Sequence, residues 1–361
     1  MNRAFAPLTL AAALCMASTI ARAQQAFKTP DEAASALVAA AKAGDPNGIV
    51  TVLGPAGKEI VSSGDEVADI ATRERFVAAY DAKHAVMMDG EDKAILIVGK
   101  QDFPLPIPIV RKDGMWRFDT VAGREEILDR RIGRDELNAI QVSLAYVDAQ
   151  NDYAQKDRNG DGINTYAQRI VSRPGKHDGL YWPTSQGEEE SPLGELFAQA
   201  TEEGYRAGES RTPYQGYYFK ILTKQGPAAP GGELDYVVQG KMIGGFALVA
   251  YPAEYRNSGV MTFIVNHAGT VFQKDLGPRT SIIAEHMASF NPDPTWQRVS
   301  DTSLPECPNA KALRERPAPI RGDPEKVTNA ACSACRRRVS YSSSSSSSIS
   351  MCRCPPAFCR R

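Results

Sequence analysis

Cysteine is missing from most of this chain. Six of the seven cysteines lie at or beyond position 307, and the other, Cys15, lies near the N-terminus, so residues 24–306 contain none. This absence excludes a disulfide-based scaffold over those residues. A segment of that length can bury enough apolar surface to fold on its own core, and we expect it to do so.

Basic residues are also in deficit over the same segment. The whole chain has a net charge of −1, but residues 24–303 hold 29 Lys and Arg against 39 Asp and Glu, a net −10. The first 23 residues carry +2 and residues 304–361 carry +7. Phosphate backbones need basic patches, so the acidic body argues against a nucleic-acid partner.

Long hydrophobic runs are limited to the N-terminus. Arg3 precedes an uncharged, mainly apolar run over 4–20, and Ala21-Arg22-Ala23 then gives the small-x-small pattern of a cleavage site. The run is shorter than the roughly 20 residues of a membrane-spanning helix. It predicts a signal peptide over 1–23, cleaved after Ala23, and a periplasmic or extracellular protein with no membrane span after cleavage. An uncleaved anchor is the alternative.

The composition changes abruptly after Ser303. Residues 304–361 contain an unbroken serine tract over 342–348 and are rich in Arg and Cys. Few apolar residues and a net positive charge predict a disordered segment, and we expect it to be a non-native tail. A zinc site is the alternative reading of its cysteine pairs, Cys332 with Cys335 and Cys352 with Cys354.

The stretch over 27–130 is predicted to be an α+β domain. Thr29 as N-cap, Pro30 at the first helical position and Glu32 predict a helix start, and Gly44 predicts its end. Further helices are expected from Asp45-Pro46 and over about 72–82. Strands are expected over about 84–88, 93–98, 105–110 and 115–120, the last two joined by an Asp113-Gly114 turn.

Three prolines alternate with apolar residues in one of these strands: Pro104, Pro106 and Pro108. Residues two apart in a strand direct their amides to the same side, so the missing donors predict an edge strand over 105–110. Helices followed by antiparallel strands resemble the nuclear-transport-factor-2-like fold. That resemblance implies a cone-shaped domain, which is a scaffold for enzymes and binding pockets alike.

A second α+β domain is predicted over 134–303. Apolar residues recur at helical spacing from about Asp135 onward, and Ser191-Pro192 begins a further helix that Gly204 ends. Strands are expected over about 217–223, 236–238, 246–251, 260–266 and 270–274, joined by short turns. The fold class of the chain is therefore α+β, with helices packed on a mostly antiparallel sheet in each of two domains.

Several distinctive runs carry a family resemblance: Asp178-Gly-Leu-Tyr-Trp-Pro183, Pro213-Tyr-Gln-Gly-Tyr-Tyr-Phe219, Met242-Ile-Gly-Gly-Phe-Ala-Leu-Val249, Gly259-Val-Met-Thr-Phe-Ile-Val-Asn266 and Phe272-Gln-Lys-Asp-Leu-Gly277. They are similar to the bacterial exported domain-of-unknown-function family numbered 2950, over most of 27–300. The resemblance implies export but no activity. The later part also resembles the globular domain of pilins, although a cleavable signal and a whole preceding domain are unlike a pilin.

A polar turn matches the start of a calcium loop. Asp157, Asn159 and Asp161 place side-chain oxygens at every second residue, and Gly162 permits a sharp turn. Ile163 follows that glycine at once and Gln168 stands where a glutamate ligand belongs. Calcium is the cofactor that these residues predict, and a plain polar turn is the alternative.

A titratable and aromatic cluster follows in the next loop. His177, Asp178, Tyr181 and Trp182 are candidate ligand-binding residues, and a loop that packs its aromatic rings on the sheet is the alternative. Catalysis there would need a nucleophile and an orienting partner. The sequence has no nucleophile elbow, zinc-protease helix, phosphate loop or dinucleotide glycine pattern, so no catalytic residue is predicted.

These features favour one function class. We expect an exported cell-envelope protein that acts as a non-enzymatic binding or assembly module, with an envelope protein or a small molecule as its partner. One alternative is a small-molecule-binding protein or enzyme with a pocket in the N-terminal domain. Another is an envelope protein stabilised by calcium.

Overall fold

The computed structural model describes residues 24–158, 160–185, 187–206 and 212–300. The predicted signal peptide and the segment over 304–361 lie outside these described residues. The chain divides into two compact units. The first unit comprises the chain up to Asp135 together with 196–218 and 252–260, and the second comprises the rest. Neither unit is one continuous stretch of sequence.

The first unit begins with helices and continues with strands. Its helices are α1 (Pro30–Lys42), α2 (Pro46–Leu53), α3 (Lys58–Val61) and α4 (Glu66–Ala82). Its strands are β1 (His84–Met88), β2 (Lys93–Val98), β3 (Phe103–Pro104), β4 (Ile109–Lys112) and β5 (Met115–Phe118). The predicted bounds of β1 and β2 are confirmed, as is the order of helices before strands.

Side-chain caps define the helix starts. Thr29 Oγ1 accepts the Glu32 amide at 3.1 Å, and the Glu32 carboxylate accepts the Lys28 amide at 2.9 Å. Asp45 and Asp65 cap α2 and α4 in the same way. Each cap satisfies an amide that has no partner inside its helix, so these short polar residues fix where the helices begin.

The strands of the first unit form one antiparallel sheet, in the order β1-β2-β4-β5, with β3 paired to β2. Its inner face packs against the helices through Leu96, Ile109 and Phe118, which are buried together with Leu37 and Val52. Alternate residues of β2, Ile95 and Ile97, lie on the opposite face and are half-buried. The core therefore lies between the helices and one face of the sheet.

The prediction of an edge strand over 105–110 is wrong. The prolines interrupt the strand, so that β3 ends at Pro104 and β4 begins at Ile109, after Pro108. β4 lies inside the sheet, between β2 and β5. Because a proline has no amide to donate, the chain leaves the ladder where the prolines are concentrated and rejoins it once they end. The Asp113-Gly114 hairpin turn is confirmed, with positive φ at both residues.

Helix α5 (Thr120–Tyr153) is much longer than its apolar spacing indicated. It begins fifteen residues before the predicted start near Asp135, and the boundary between the two units falls inside it. Its first turns are rich in Arg and Glu, which hides the helical period. Glu126 and Arg130, one turn apart, form an ion pair that supports this charged stretch.

The second unit is mainly a sheet. The elements after α5, in chain order, are α6 (Gly194–Glu202), β6 (Tyr217–Leu222), β7 (Lys224–Gln225), β8 (Leu234–Asp235), β9 (Val237–Val238), β10 (Lys241–Met242), β11 (Ala247–Pro252), β12 (Met261–Asn266), β13 (Val271–Asp275), α7 (Thr280–His286), β14 (Ser289–Phe290) and β15 (Gln297–Arg298). Most of α6, the first two residues of β6 and the last residue of β11 belong to the first unit, and the other elements belong to the second. The largest sheet has the order β15-β13-β12-β11-β6. Strand β11, which lies between β12 and β6, is buried along its whole length.

Helices and mostly antiparallel sheets occur in both units, so the predicted α+β class is confirmed. Strands β14 and β7 pair in parallel. Within the described ranges, no helix combines the length and apolar character that crossing a membrane requires.

Candidate functional site

The predicted aromatic cluster is only partly brought together. The rings of His177 and Trp182 stack with centroids 4.3 Å apart and planes 17° apart. Trp182 is buried, whereas His177 is exposed and covers one side of the indole. His177 and Trp182 are therefore two members of the predicted cluster whose rings are in contact.

Residues that the sequence did not single out complete this stack. The Arg158 guanidinium lies 5.1 Å from the Trp182 ring centroid and 5.3 Å from that of Tyr153. The Tyr153 hydroxyl donates to the His177 carbonyl at 2.8 Å, and the Trp182 indole donates to the Glu189 carbonyl at 3.2 Å. These contacts hold the loop against the end of α5, where Tyr153 is the last residue.

The other two predicted residues point to different partners. Asp178 accepts hydrogen bonds from the Arg173 amide at 2.9 Å and from its guanidinium at 2.5 Å. Tyr181 is half-buried and pairs through its backbone with Val171. The four candidates therefore divide into a stacked pair and two residues that shape the loop. Their role in ligand binding stays a prediction.

The predicted calcium loop uses its carboxylates within the loop. Asp157 accepts the amides of Gly160 and Gly162 at 2.8 and 2.7 Å. Asp161 accepts the Ile163 amide at 3.1 Å and pairs with Lys241 at 2.7 Å. Asn159 lies outside the described residues. Among the residues that are described, no group of three or more His, Cys, Asp or Glu is placed to hold a metal; the calcium site stays a prediction.

A buried polar network in the first unit was not foreseen. At its centre is Asp65, which is 1% exposed. One of its oxygens caps α4, and the other accepts the Tyr205 hydroxyl and the Gly216 amide, each at 2.8 Å. Gly216 has a φ of +82°, and a Cβ there would lie 2.8 Å from the Asp135 carboxylate. Glycine is therefore required at this position.

Arg131 forms the second half of this network. Its guanidinium donates to the Glu59 carbonyl at 2.8 Å, to the Ile60 carbonyl, and to the Asn257 side-chain oxygen at 2.6 Å. The Asn257 amide in turn donates to the Ser62 carbonyl at 2.7 Å. We call Asp65, Arg131, Asp135, Tyr205 and Asn257 the buried network. It joins the segments 203–217 and 252–260 to the N-terminal part of the first unit.

Burial controls the electrostatics of the buried network. It raises the pKa of Asp135 to about 6, against the opposing effect of Arg134 and Arg131, and the charge of Asp65 adds to the rise. Burial also raises the pKa of Tyr205, with a further contribution from Asp65, and lowers the pKa of Arg131. Burial disfavours the charged form of a side chain, whether the charge is positive or negative. The hydrogen bonds among its members therefore stabilise the network.

The two edges of the first-unit sheet differ. At the β5 edge, the Phe27 amide donates to the Trp116 carbonyl at 2.9 Å, and the Trp116 amide donates to the Phe27 carbonyl at 2.8 Å. At the β1 edge, the described residues provide no pairing strand. The side chains of Met87 and Met88 in β1 are 58% and 53% exposed. Among the described residues, one edge is therefore closed by Phe27 and the other is open.

Natural proteins usually guard an open edge with prolines, charges or a bulge. β1 has none of these within its five residues, His-Ala-Val-Met-Met. Ala85 and Met87 lie beside Ile97 and Ile95 on the face of the sheet that points away from the helices. An apolar surface and an open row of backbone groups thus meet at β1.

The histidines of the chain are engaged with aromatic rings or with their own helices. His84 stacks on Tyr80 at 3.7 Å, and its Nδ1 lies 2.9 Å from the Tyr80 carbonyl. His286 makes the same contact with the Ile282 carbonyl at 2.8 Å. His267 lies edge-on to Tyr236, and burial lowers its pKa. These positions match structural roles for the rings.

No sequence signal would have found the buried network, because its residues come from parts of the chain that are far apart. The open edge could have been anticipated: the run over 84–88 was predicted as a strand, and its lack of charge and proline is visible in the sequence. The proline pattern instead predicted the sheet edge over 105–110.

Comparison with known proteins gives one finding. No curated protein and no solved structure shows significant similarity to the chain. The resemblances of shape to the nuclear-transport-factor-2-like and pilin folds therefore stay predictions. The family described as "Protein of unknown function (DUF2950)" matches residues 24–299, which is most of the chain, and the chain belongs to that family.

Proposed function

We propose that this chain is an exported cell-envelope protein that acts as a non-enzymatic binding or assembly module, and that it binds through the β1 edge. The observation that carries the proposal is the open, unguarded edge with its exposed Met87 and Met88. Addition of a strand to such an edge is a common mode of protein recognition, in which backbone hydrogen bonds give affinity.

Two further observations support the proposal. The family match begins at residue 24, directly after the predicted cleavage site, which agrees with removal of the preceding residues on export. The inner face of the first-unit sheet is filled with apolar side chains such as Leu96, Ile109 and Phe118, each at most 2% exposed. A packed interior favours binding at the surface over a pocket between the helices and the sheet.

The test is site-specific photo-crosslinking in living cells. A photoreactive amino acid replaces Met88 in one strain and Val121 in another, since Val121 is also exposed and lies in the first unit. We expect a discrete cross-linked product in the envelope fraction from position 88 and none from position 121. Equal labelling at both positions, or recovery of the chain in the cytoplasm at its full mass, would contradict the proposal.

A further inference from the structure

The hydrogen-bonding pattern shows which backbone groups of β1 are available. The Lys83 carbonyl accepts the Gly99 amide at 2.8 Å, and the Asp89 amide donates to the Lys93 carbonyl at 2.8 Å, so both residues face β2. Bonding alternates along an antiparallel strand. Residues 85 and 87 therefore also face β2, and His84, Val86 and Met88 direct their amides and carbonyls away from the sheet.

The same strand is complementary to itself. In an antiparallel pair of two β1 strands centred on Val86, residue 84 lies opposite residue 88, and Val86 lies opposite its own copy. All three of these residues direct their backbone groups outward, so each pair can exchange hydrogen bonds. On the outer face, Met87 of each copy lies opposite Ala85 of the other and extends the apolar surface formed by Ile95 and Ile97.

The charges at the ends of β1 favour this arrangement. Lys83 lies at one end and Asp89 at the other, and antiparallel pairing sets the Lys83 of each copy opposite the Asp89 of the other. Parallel pairing would set like charges side by side. Lys83 pairs with Asp102 at 2.6 Å and Asp89 with Lys93 at 2.7 Å, and all four side chains are exposed enough to reach a partner.

On the basis of the proposed function, we propose that the partner at the β1 edge is a second copy of this chain. The two copies pair β1 to β1 in antiparallel orientation about a two-fold axis at Val86, so that their first-unit sheets become one continuous sheet. Such a contact is isologous, because the same patch is used on both copies, and it closes at a dimer.

Proline at position 88 tests the backbone bonds. The Met88 amide faces outward, so Met88→Pro removes a donor needed by the second copy and leaves the bonds to β2 intact. Met88→Ala shortens the same side chain but keeps the amide. In sedimentation velocity over a concentration series with a reductant, we expect dimerisation of the wild type and of Met88→Ala, and at least a tenfold weaker dimer for Met88→Pro. The reductant prevents disulfides between the cysteines beyond position 306.

Charge reversal tests the orientation. Lys83→Asp places two acidic residues opposite each other in its own dimer, and Asp89→Lys places two basic residues opposite each other. We expect each variant to be monomeric alone and the equimolar mixture of the two to dimerise, because every opposed pair is then of opposite sign. Circular dichroism confirms that each variant is folded.

Two results would overturn the inference: a wild type that stays monomeric throughout, or Met88→Pro dimerising as tightly as Met88→Ala. A monomeric wild type that is still cross-linked from position 88 to a different envelope protein would refute the self-pairing and leave the proposed function standing. A monomer with no product from position 88 would remove both.

Discussion

The buried network of the first unit and the loop around His177 and Trp182 in the second unit, which we call the aromatic loop, both place carboxylates beside basic side chains. The pKa values of these carboxylates are shifted in opposite directions. Burial raises the pKa of Asp135 to about 6 even though Arg134 donates to it at 3.0 Å. In the loop, burial is the largest single effect on Asp178 and acts to raise its pKa, but the hydrogen bonds from Arg173 and the charges of Arg173 and Arg169 together outweigh it, so the pKa is lowered. Hydrogen bonds from Lys156 and the charge of Arg158 likewise lower the pKa of Glu189.

The difference shows that an arginine neighbour does not by itself fix the behaviour of a carboxylate. Asp135 has an almost fully buried side chain, at 5% exposure, whereas those of Asp178 and Glu189 are 28% and 42% exposed. In the loop, water stabilises the charged form of the carboxylates. In the buried network, protein groups have to provide that stabilisation. The following changes test this contrast, from the largest expected effect to the smallest.

Removing the arginine of the buried network should have the largest effect. Arg131→Met leaves the Glu59 and Ile60 carbonyls and the Asn257 oxygen without their donor in a buried region. Loss of one partner from such a site costs about 3–5 kcal/mol of unfolding free energy. Urea denaturation followed by circular dichroism measures the change.

The neighbouring residue supplies a matched control. Arg130 is exposed and pairs with Glu126 on the surface of the same helix. We expect Arg130→Met to cost less than about 1 kcal/mol. Equal effects of the two substitutions would mean that burial does not distinguish these arginines.

The raised pKa of Asp135 should appear as a pH dependence. Its pKa is about 6 in the folded chain and 3.8 in the reference state, so the folded state binds the extra proton between these values. Stability therefore falls as the pH rises from about 4 to about 6, by about 3 kcal/mol in total from this group. In Asp135→Asn this decrease should be missing.

Denaturation at a series of pH values measures that contribution as the difference between wild type and variant. Asp129→Asn, an exposed change on the same helix, should reproduce the wild-type profile. An Asp135→Asn profile parallel to that of the wild type would show that another group causes the decrease.

The smallest effect is expected in the aromatic loop. Asp178→Asn removes a partly exposed ion pair with Arg173 and should cost less than about 1 kcal/mol at pH 7. Because the folded pKa of Asp178 lies below 3.8, its contribution is present at higher pH and is lost as the pH falls below about 4. Below that pH the difference in unfolding free energy between Asp178→Asn and the wild type should vanish. Asp135 behaves in the opposite way, because its contribution is lost as the pH rises.

Local elements of the fold were predictable because their signals are local. Thr29, Pro30 and Glu32 specify the start of α1 within four residues, and Asp113-Gly114 specifies a hairpin turn through its backbone preference. The bounds of β1 and β2 followed from short β-rich runs between turn residues. Each of these depends on neighbours in sequence.

The failures have non-local causes. The start of α5 was missed because its first turns are charged and carry little apolar period. Gly123 in those turns is needed because a Cβ would lie 2.4 Å from the Pro106 carbonyl, a contact that only the fold creates. The buried network depends on Asp65, Tyr205 and Asn257, and no spacing rule connects residues so far apart.

The composition of the buried network also constrains how the chain is made. Asn257 is needed to bond Arg131 and the Ser62 carbonyl, yet it follows them by more than a hundred residues. During synthesis the buried network cannot be completed until Asn257 has left the ribosome. Contacts of such long sequence separation are slow to form. The N-terminal helices and strands are therefore synthesised long before the segment that completes the buried network beside them.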